Sequence, residues 1–255
     1  MSGVDVSAKS TADTARHALW VRVCHWTGTV SFLALAVSGF LILMVHPRLY
    51  WGPVGNDLTP ALLELPISSN HRPEGWERAV TFSGVANAPI SANRTYEIFN
   101  QNGWARSLHF LAGWFLVVAG VLYAIGATVS GHLWRDLLPR LGDLSPRRLW
   151  QDLRSHLRLH SGAFDGVAPY GLLQRIAYAS VAFIALPFMV LTGLSMSPAV
   201  TAAYPLLADV VGGHQSVRTL HFFGFAALVL FLLIHVAMVV LTGFRQQMRA
   251  MIKGN

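Results

Sequence analysis

The chain has 255 residues, 53% of them hydrophobic and only 12% charged, with a formal net charge of +7. A soluble globular domain carries about 25% charged residues, so both an ordinary soluble domain and a disordered chain are disfavoured. The single cysteine, Cys24, excludes an internal disulfide. Excess Lys/Arg in so apolar a chain points to loops on one side of a membrane and away from nucleic acid.

Residues 1–20 are polar and precede no small-residue cleavage site, so the first apolar segment reads as an uncleaved anchor. Four stretches, 23–45, 108–129, 176–196 and 220–242, contain no Asp, Glu, Lys or Arg. Each exceeds the roughly 20 residues with which an α-helix crosses a bilayer. The expected fold is all-α, a four-helix transmembrane bundle forming one domain over 1–255, with spans at about 21–45, 107–129, 174–197 and 218–243. The first span carries His25 and Gly39, the second His109 and Gly120, and the fourth His221 and His235. The third has no histidine; it completes the bundle, kinked or locally loosened at Pro187.

Loop 46–106 is rich in Pro, Gly and Asn, with scattered aromatics (Trp51, Trp76, Tyr96, Trp104) and a short apolar run at 61–65. A docking surface and ordinary loop packing are both open readings of it. A cytoplasmic N-terminus places 13 of the 19 Lys/Arg residues inside, in 1–22, 130–175 and 243–255, against six outside. Both termini and loop 130–173 are therefore expected to be cytoplasmic, and loop 46–106 extracytoplasmic. There is no glycine-rich phosphate loop, CxxC, CxxCH or HExxH. Covalently attached haem is thereby disfavoured.

Ionisable residues inside a bilayer are costly, so histidines within spans are functional candidates. His221 and His235 are 14 residues apart. At 100° and 1.5 Å per residue they share a face and lie about 21 Å apart along the axis. With the expected topology, His25 pairs in depth with His235 near the cytoplasm, and His109 with His221 near the outer surface. Two histidine pairs at two depths are what two bis-histidine haems in a helix bundle require. Gly39 follows His25 by 14 residues and Gly120 follows His109 by 11, so each lies near its histidine's face at the depth of the other pair. A flat macrocycle needs close approach there, although small residues also serve plain helix packing. Arg22, Arg106 and Arg218 each precede a histidine by three residues, one turn nearer the headgroups, where guanidinium suits haem propionates. Snorkelling is the plainer alternative. A weak internal repeat sets 106–110 beside 218–222, and Ser38-Gly39 beside Thr192-Gly193, with Tyr178 in the slot of His25.

These residues resemble the bacterial cytochrome b561 and nickel-hydrogenase/formate-dehydrogenase cytochrome b superfamily, in particular the membrane cytochrome b subunits of molybdoenzyme-type complexes. The likeness covers about 16–250. It is carried by Arg22-x-x-His25-Trp26 with Ser38-Gly39, Trp104-x-Arg106-Ser-Leu-His109 with Trp114, Leu173-Gln174-Arg175-x-x-Tyr178 with Thr192-Gly193, and Arg218-x-x-His221 with His235. The resemblance implies a multi-pass protein of the bacterial inner membrane that holds two haems b on the four histidines. It further implies an electron-transfer subunit, not an enzyme by itself, passing electrons between an extracytoplasmic partner and membrane quinone. That partner is expected to be a molybdopterin enzyme or a c-type cytochrome, and the quinone site to lie near the cytoplasmic haem. His17 and Arg175 lie at that end and are the quinone candidates, though either also suits a simple interfacial anchor. Two other readings are open at this point: a self-contained cytochrome b561 oxidising a small donor such as superoxide, and a haem or metal carrier without redox turnover.

Overall fold

The computed structural model describes residues 17–55, 60–65, 102–139, 142, 144–157 and 171–254. Most of loop 46–106, with Trp76 and Tyr96, lies outside them. Four long helices dominate, each apolar enough to cross a membrane: α1 (Leu19–Val45), α2 (Asn102–Val129), α4 (Leu172–Ser195) and α7 (His214–Leu241). They extend past the charge-free stretches at their N-terminal ends, so Arg22, Arg106, Arg175 and Arg218 all lie within helices. Long aliphatic stems let such arginines keep helical backbone while the head group reaches the interface. Large apolar side chains on the helix exteriors are open, Leu33 and Leu111 for example at 51% and 57%. In a soluble protein that surface would be buried, and here it matches lipid.

Three buried hydroxyls inside the spans bond back to a carbonyl of their own helix, which removes the cost of an unpaired polar group in hydrocarbon. Ser38, Thr192 and Ser195 bond the carbonyls of Ala34, Phe188 and Leu191, four residues back. In α4 the turn Val181–Ala185 is π-helical and leads directly to Pro187. Proline has no N–H to close the i−4 bond and its ring crowds that carbonyl, so the backbone widens one turn earlier.

The tightest packing joins α1 to α2, and the last part of α4 to α7. Between these two pairs the described backbones make few close contacts, and side chains, chiefly imidazoles and aromatic rings, fill the distance. At the end of the bundle away from the termini, the segment after α1 folds over the start of α7. Its strand β1 (Arg48–Leu49) pairs antiparallel with β2 (Leu63–Glu64), Arg48 opposite Glu64. Leu49 and Tyr50 are almost fully buried. The short helices α5 (Pro198–Ala203) and α6 (Leu206–Asp209) follow α4 at this end.

At the end that carries the termini, a π-helical turn (Leu133–Leu137) and the amphipathic α3 (Pro146–Leu157) join α2 to α4. Gly243, at φ +115°, turns the chain out of α7 into α8 (Phe244–Lys253). The last turns of α8 return to α1: Trp26 Nε1 donates to the Met251 carbonyl at 3.1 Å, and Arg22 Nη1 to that of Ile252 at 2.7 Å.

Candidate functional site

Two histidine pairs face each other across the interior. His25 of α1 and His235 of α7 have ring centres 6.4 Å apart, towards the terminus-bearing end. His109 of α2 and His221 of α7 have centres 6.3 Å apart, towards the other end. A metal ion bonds an imidazole nitrogen at about 2 Å and the ring centre lies about 1 Å further on, so two axial imidazoles on one iron have centres about 6 Å apart. Both pairs have that spacing. Among the described residues no group of three or more His, Cys, Asp or Glu gathers. A tetrahedral metal site therefore has no donor set there, whereas a bis-histidine haem needs only a pair.

Each pair has its own surroundings. His235 is stacked on Phe231, with ring centres 5.9 Å and planes 19° apart, and meets Tyr178 of α4 edge-on at 6.0 Å. His25 stands edge-on to Trp26, whose indole is tied to α8. At the other level the neighbours are hydrogen-bonding groups: Ser38 Oγ lies 3.0 Å from His109 Nδ1, with the Leu35 carbonyl also bonded to that imidazole, and Thr192 Oγ1 lies 2.8 Å from His221 Nδ1. Spacing alone marks neither hydroxyl, and the repeat of Ser38-Gly39 as Thr192-Gly193 is the signal that leads to them.

Gly39 faces His109: a Cβ there would sit 3.2 Å from the Cε1 of that ring. Gly193 stands in the same relation to His221, at 3.5 Å. A Cβ on Gly120 would meet nothing within 4 Å. The arginines differ in their partners. Arg218 donates to the carbonyls of Arg48 (2.9 Å) and His46, so its head group anchors the segment after α1. Thr219 Oγ1, donating to the Tyr50 carbonyl at 2.6 Å, and Ser216 Oγ, accepting from Gly52 N–H at 2.8 Å, complete that anchorage. Arg22 reaches α8, and Arg106 is exposed.

Arg175 is 9% exposed and donates to the carbonyls of Leu138 and Arg135, fastening the segment after α2 to α4. Beside it lies an open groove of about 460 Å³ between α4 and the 133–144 segment, lined by apolar groups that include Leu138, Ile176 and Ala179. His17 is half-buried near His132 and Arg22; burial first, and then those two positive neighbours, push its pKa below the usual imidazole value. His132 itself pairs with Asp136, Nδ1 to Oδ2 at 2.8 Å.

Four membrane spans with two facing histidine pairs in the interior define a membrane cytochrome b by class. Residues 16–254 match the prokaryotic cytochrome b561 family, and the chain belongs to it. It is similar to the putative protein-methionine-sulfoxide reductase subunit YedZ1 of Azospira oryzae, with 31% identity over 94% of this chain and 97% of the relative. It is also similar to the probable Ni/Fe-hydrogenase B-type cytochrome subunit of Cupriavidus necator, with 24% identity over 92% of this chain and 82% of the relative. Family membership implies haem b, and with the four apolar helices it makes the chain a multi-pass electron-transport protein of the bacterial inner membrane.

Proposed function

We propose that the chain is a di-haem electron-transfer subunit linking an extracytoplasmic oxidoreductase to membrane quinone. The observation that carries this reading is the pair of imidazole–imidazole spacings, 6.4 and 6.3 Å, at two levels of one bundle. His25 and His235 would hold the haem at the cytoplasmic level, and His109 and His221 the one at the outer level. Haem b, once bound, supplies reversible one-electron transfer at its iron. The protein's part is to hold the rings in register, exclude water and tune the environment of each level. Lipid-facing helix surfaces and the closely packed pairs α1–α2 and α4–α7 keep water from the histidines. Arg106, together with Arg22 and Arg218, is the candidate set for propionate contact; in Arg218 the guanidinium already serves two carbonyls.

The names of both relatives describe subunits of oxidoreductases, which supports a redox enzyme as the partner here. On the proposed orientation that partner, a molybdopterin enzyme or a c-type cytochrome, docks at the outer end on loop 46–106 and residues 197–219. At the proposed cytoplasmic end the open apolar groove beside α4 is the candidate position for a quinone, and Tyr178, on the same helix though not lining the groove, reaches His235. Arg175 shapes that groove by holding the carbonyls of residues 135 and 138, and His17 is the candidate proton-exchanging group. Absorption spectra and haem-to-protein ratio of the purified full chain test the reading. Two b-type haems per chain, reduced by a quinol analogue, are expected; a haem-free protein, or full haem retention after His221→Ala with His235→Ala, overturns it.

A further inference from the structure

Ser38 is fully buried and Thr192 nearly so, and each stands beside an imidazole with its one hydroxyl hydrogen already directed elsewhere. Ser38 donates to the Ala34 carbonyl at 2.6 Å, and Thr192 to the Phe188 carbonyl at 2.8 Å. A carbonyl can only accept, so the hydroxyl oxygen turns an acceptor lone pair towards the ring. Across 3.0 and 2.8 Å the ring nitrogen that meets that lone pair must carry the proton. We infer that Ser38 and Thr192 are positioning residues for the outer histidine pair: each holds its imidazole as the Nδ1–H tautomer and leaves Nε2 as the ligand nitrogen.

The two arrangements are built alike from different helices. In α1 and in α4 a hydroxyl residue is followed by glycine, the hydroxyl bonds the carbonyl four residues back, and the glycine lies against the same ring. A side chain at Gly39 would press on the Cε1 of His109 at 3.2 Å, so the glycine lets the ring come close enough to bond its neighbour. Helix α4, which supplies no histidine, thereby governs one through Thr192. The terminus-side pair is held differently: His25 Nδ1 is buried without a hydrogen-bond partner among the described residues, and His235 is held by aromatic faces.

A donor bond from Nδ1 to an acceptor that is itself polarised by its own bond to a carbonyl raises the basicity of Nε2. A more basic axial ligand favours ferric over ferrous iron, so these hydroxyls lower the midpoint potential at the outer level. The inference rests on the di-haem reading, and one experiment separates the two. Full-length wild type, Ser38→Ala, Ser38→Thr, Thr192→Val and Thr192→Ser are purified, and their haem content and potentiometric titrations are compared. Wild type without b-type haem overturns the di-haem reading and the inference with it. With two haems present, the expected result is an upward shift of one midpoint potential in Ser38→Ala and Thr192→Val, the other midpoint staying fixed. Ser38→Thr and Thr192→Ser are expected to titrate as wild type. Should Ala or Val lose one haem outright, retention of it in Thr or Ser gives the same support. Unchanged potentials in all four variants, equal shifts at both haems, or the same loss in conservative and non-conservative variants overturns the inference and leaves the di-haem reading standing.

Discussion

Phe231 lies one turn before His235 on α7, and its ring stacks on the imidazole with centres 5.9 Å apart and planes 19° apart. A histidine within a membrane span has few polar groups to orient it, and here a flat apolar neighbour does so. Replacing Phe231 by Ala removes that face and frees the ring's rotation. On the proposed di-haem reading, haem occupancy at the His25–His235 pair is expected to fall several-fold, with Phe231→Tyr close to wild type and occupancy at the His109–His221 pair unaffected in both. Haem-to-protein ratio with low-temperature spectra, which separate the two sites, measures it.

The four histidines form two independent pairs, so single substitutions are expected to act in halves. His221→Ala and His109→Ala each leave about one haem per chain, and so do His25→Ala and His235→Ala. The double variant His109→Ala with His221→Ala still leaves one, whereas His221→Ala with His235→Ala leaves none. A loss of both haems from every single variant would contradict separate sites.

Arg218 ties the carbonyls of His46 and Arg48 to the start of α7. Leaving a buried acceptor unpaired costs about 1–3 kcal/mol. Arg218→Gln is therefore expected to destabilise the end of the bundle away from the termini by about 2 kcal/mol or more, seen as a lower Tm in detergent and faster proteolysis within 46–55. Lysine restores little, because a single ammonium lacks the planar fork that serves both carbonyls.

Gly213 has φ +108°, and a Cβ on it would lie 2.5 Å from the Cα of Pro53. Left-handed backbone costs a non-glycine residue about 1–3 kcal/mol, and the clash with main chain adds to that. Gly213→Ala is expected to lower Tm clearly. Gly103→Ala is the control: that helical position is exposed, and a Cβ there would meet nothing within 4 Å.

The pKa of His17 is lowered by burial and by His132 and Arg22, so the folded protein binds its proton less readily than the unfolded chain. Between the folded pKa and the usual imidazole value of 6.5 the unfolded state holds more protons, and stability rises with pH through that window. It is lost as pH falls below 6.5. His17→Gln is expected to flatten this part of the stability–pH curve, as read from Tm measured across pH 5 to 8.

Fourfold membrane crossing was legible in the chain because the absence of charge over 21 to 23 residues is a one-dimensional property, set by bilayer thickness. The axial separation of His221 and His235, and their common face, follow from helical repeat alone. Helix ends were less legible: arginines can extend a helix past the apolar stretch, so α2 begins at Asn102 and α7 at His214. Tertiary packing decided the rest. No spacing rule shows that Arg218 and Arg175 turn to loop carbonyls, because those acceptors lie 170 and 37 residues away in sequence. Nor does one show that the hydroxyls of Ser38 and Thr192 meet Nδ1 of His109 and His221. Those contacts run between helices, at distances of 3.0 and 2.8 Å that only the docking of α1 on α2 and α4 on α7 creates.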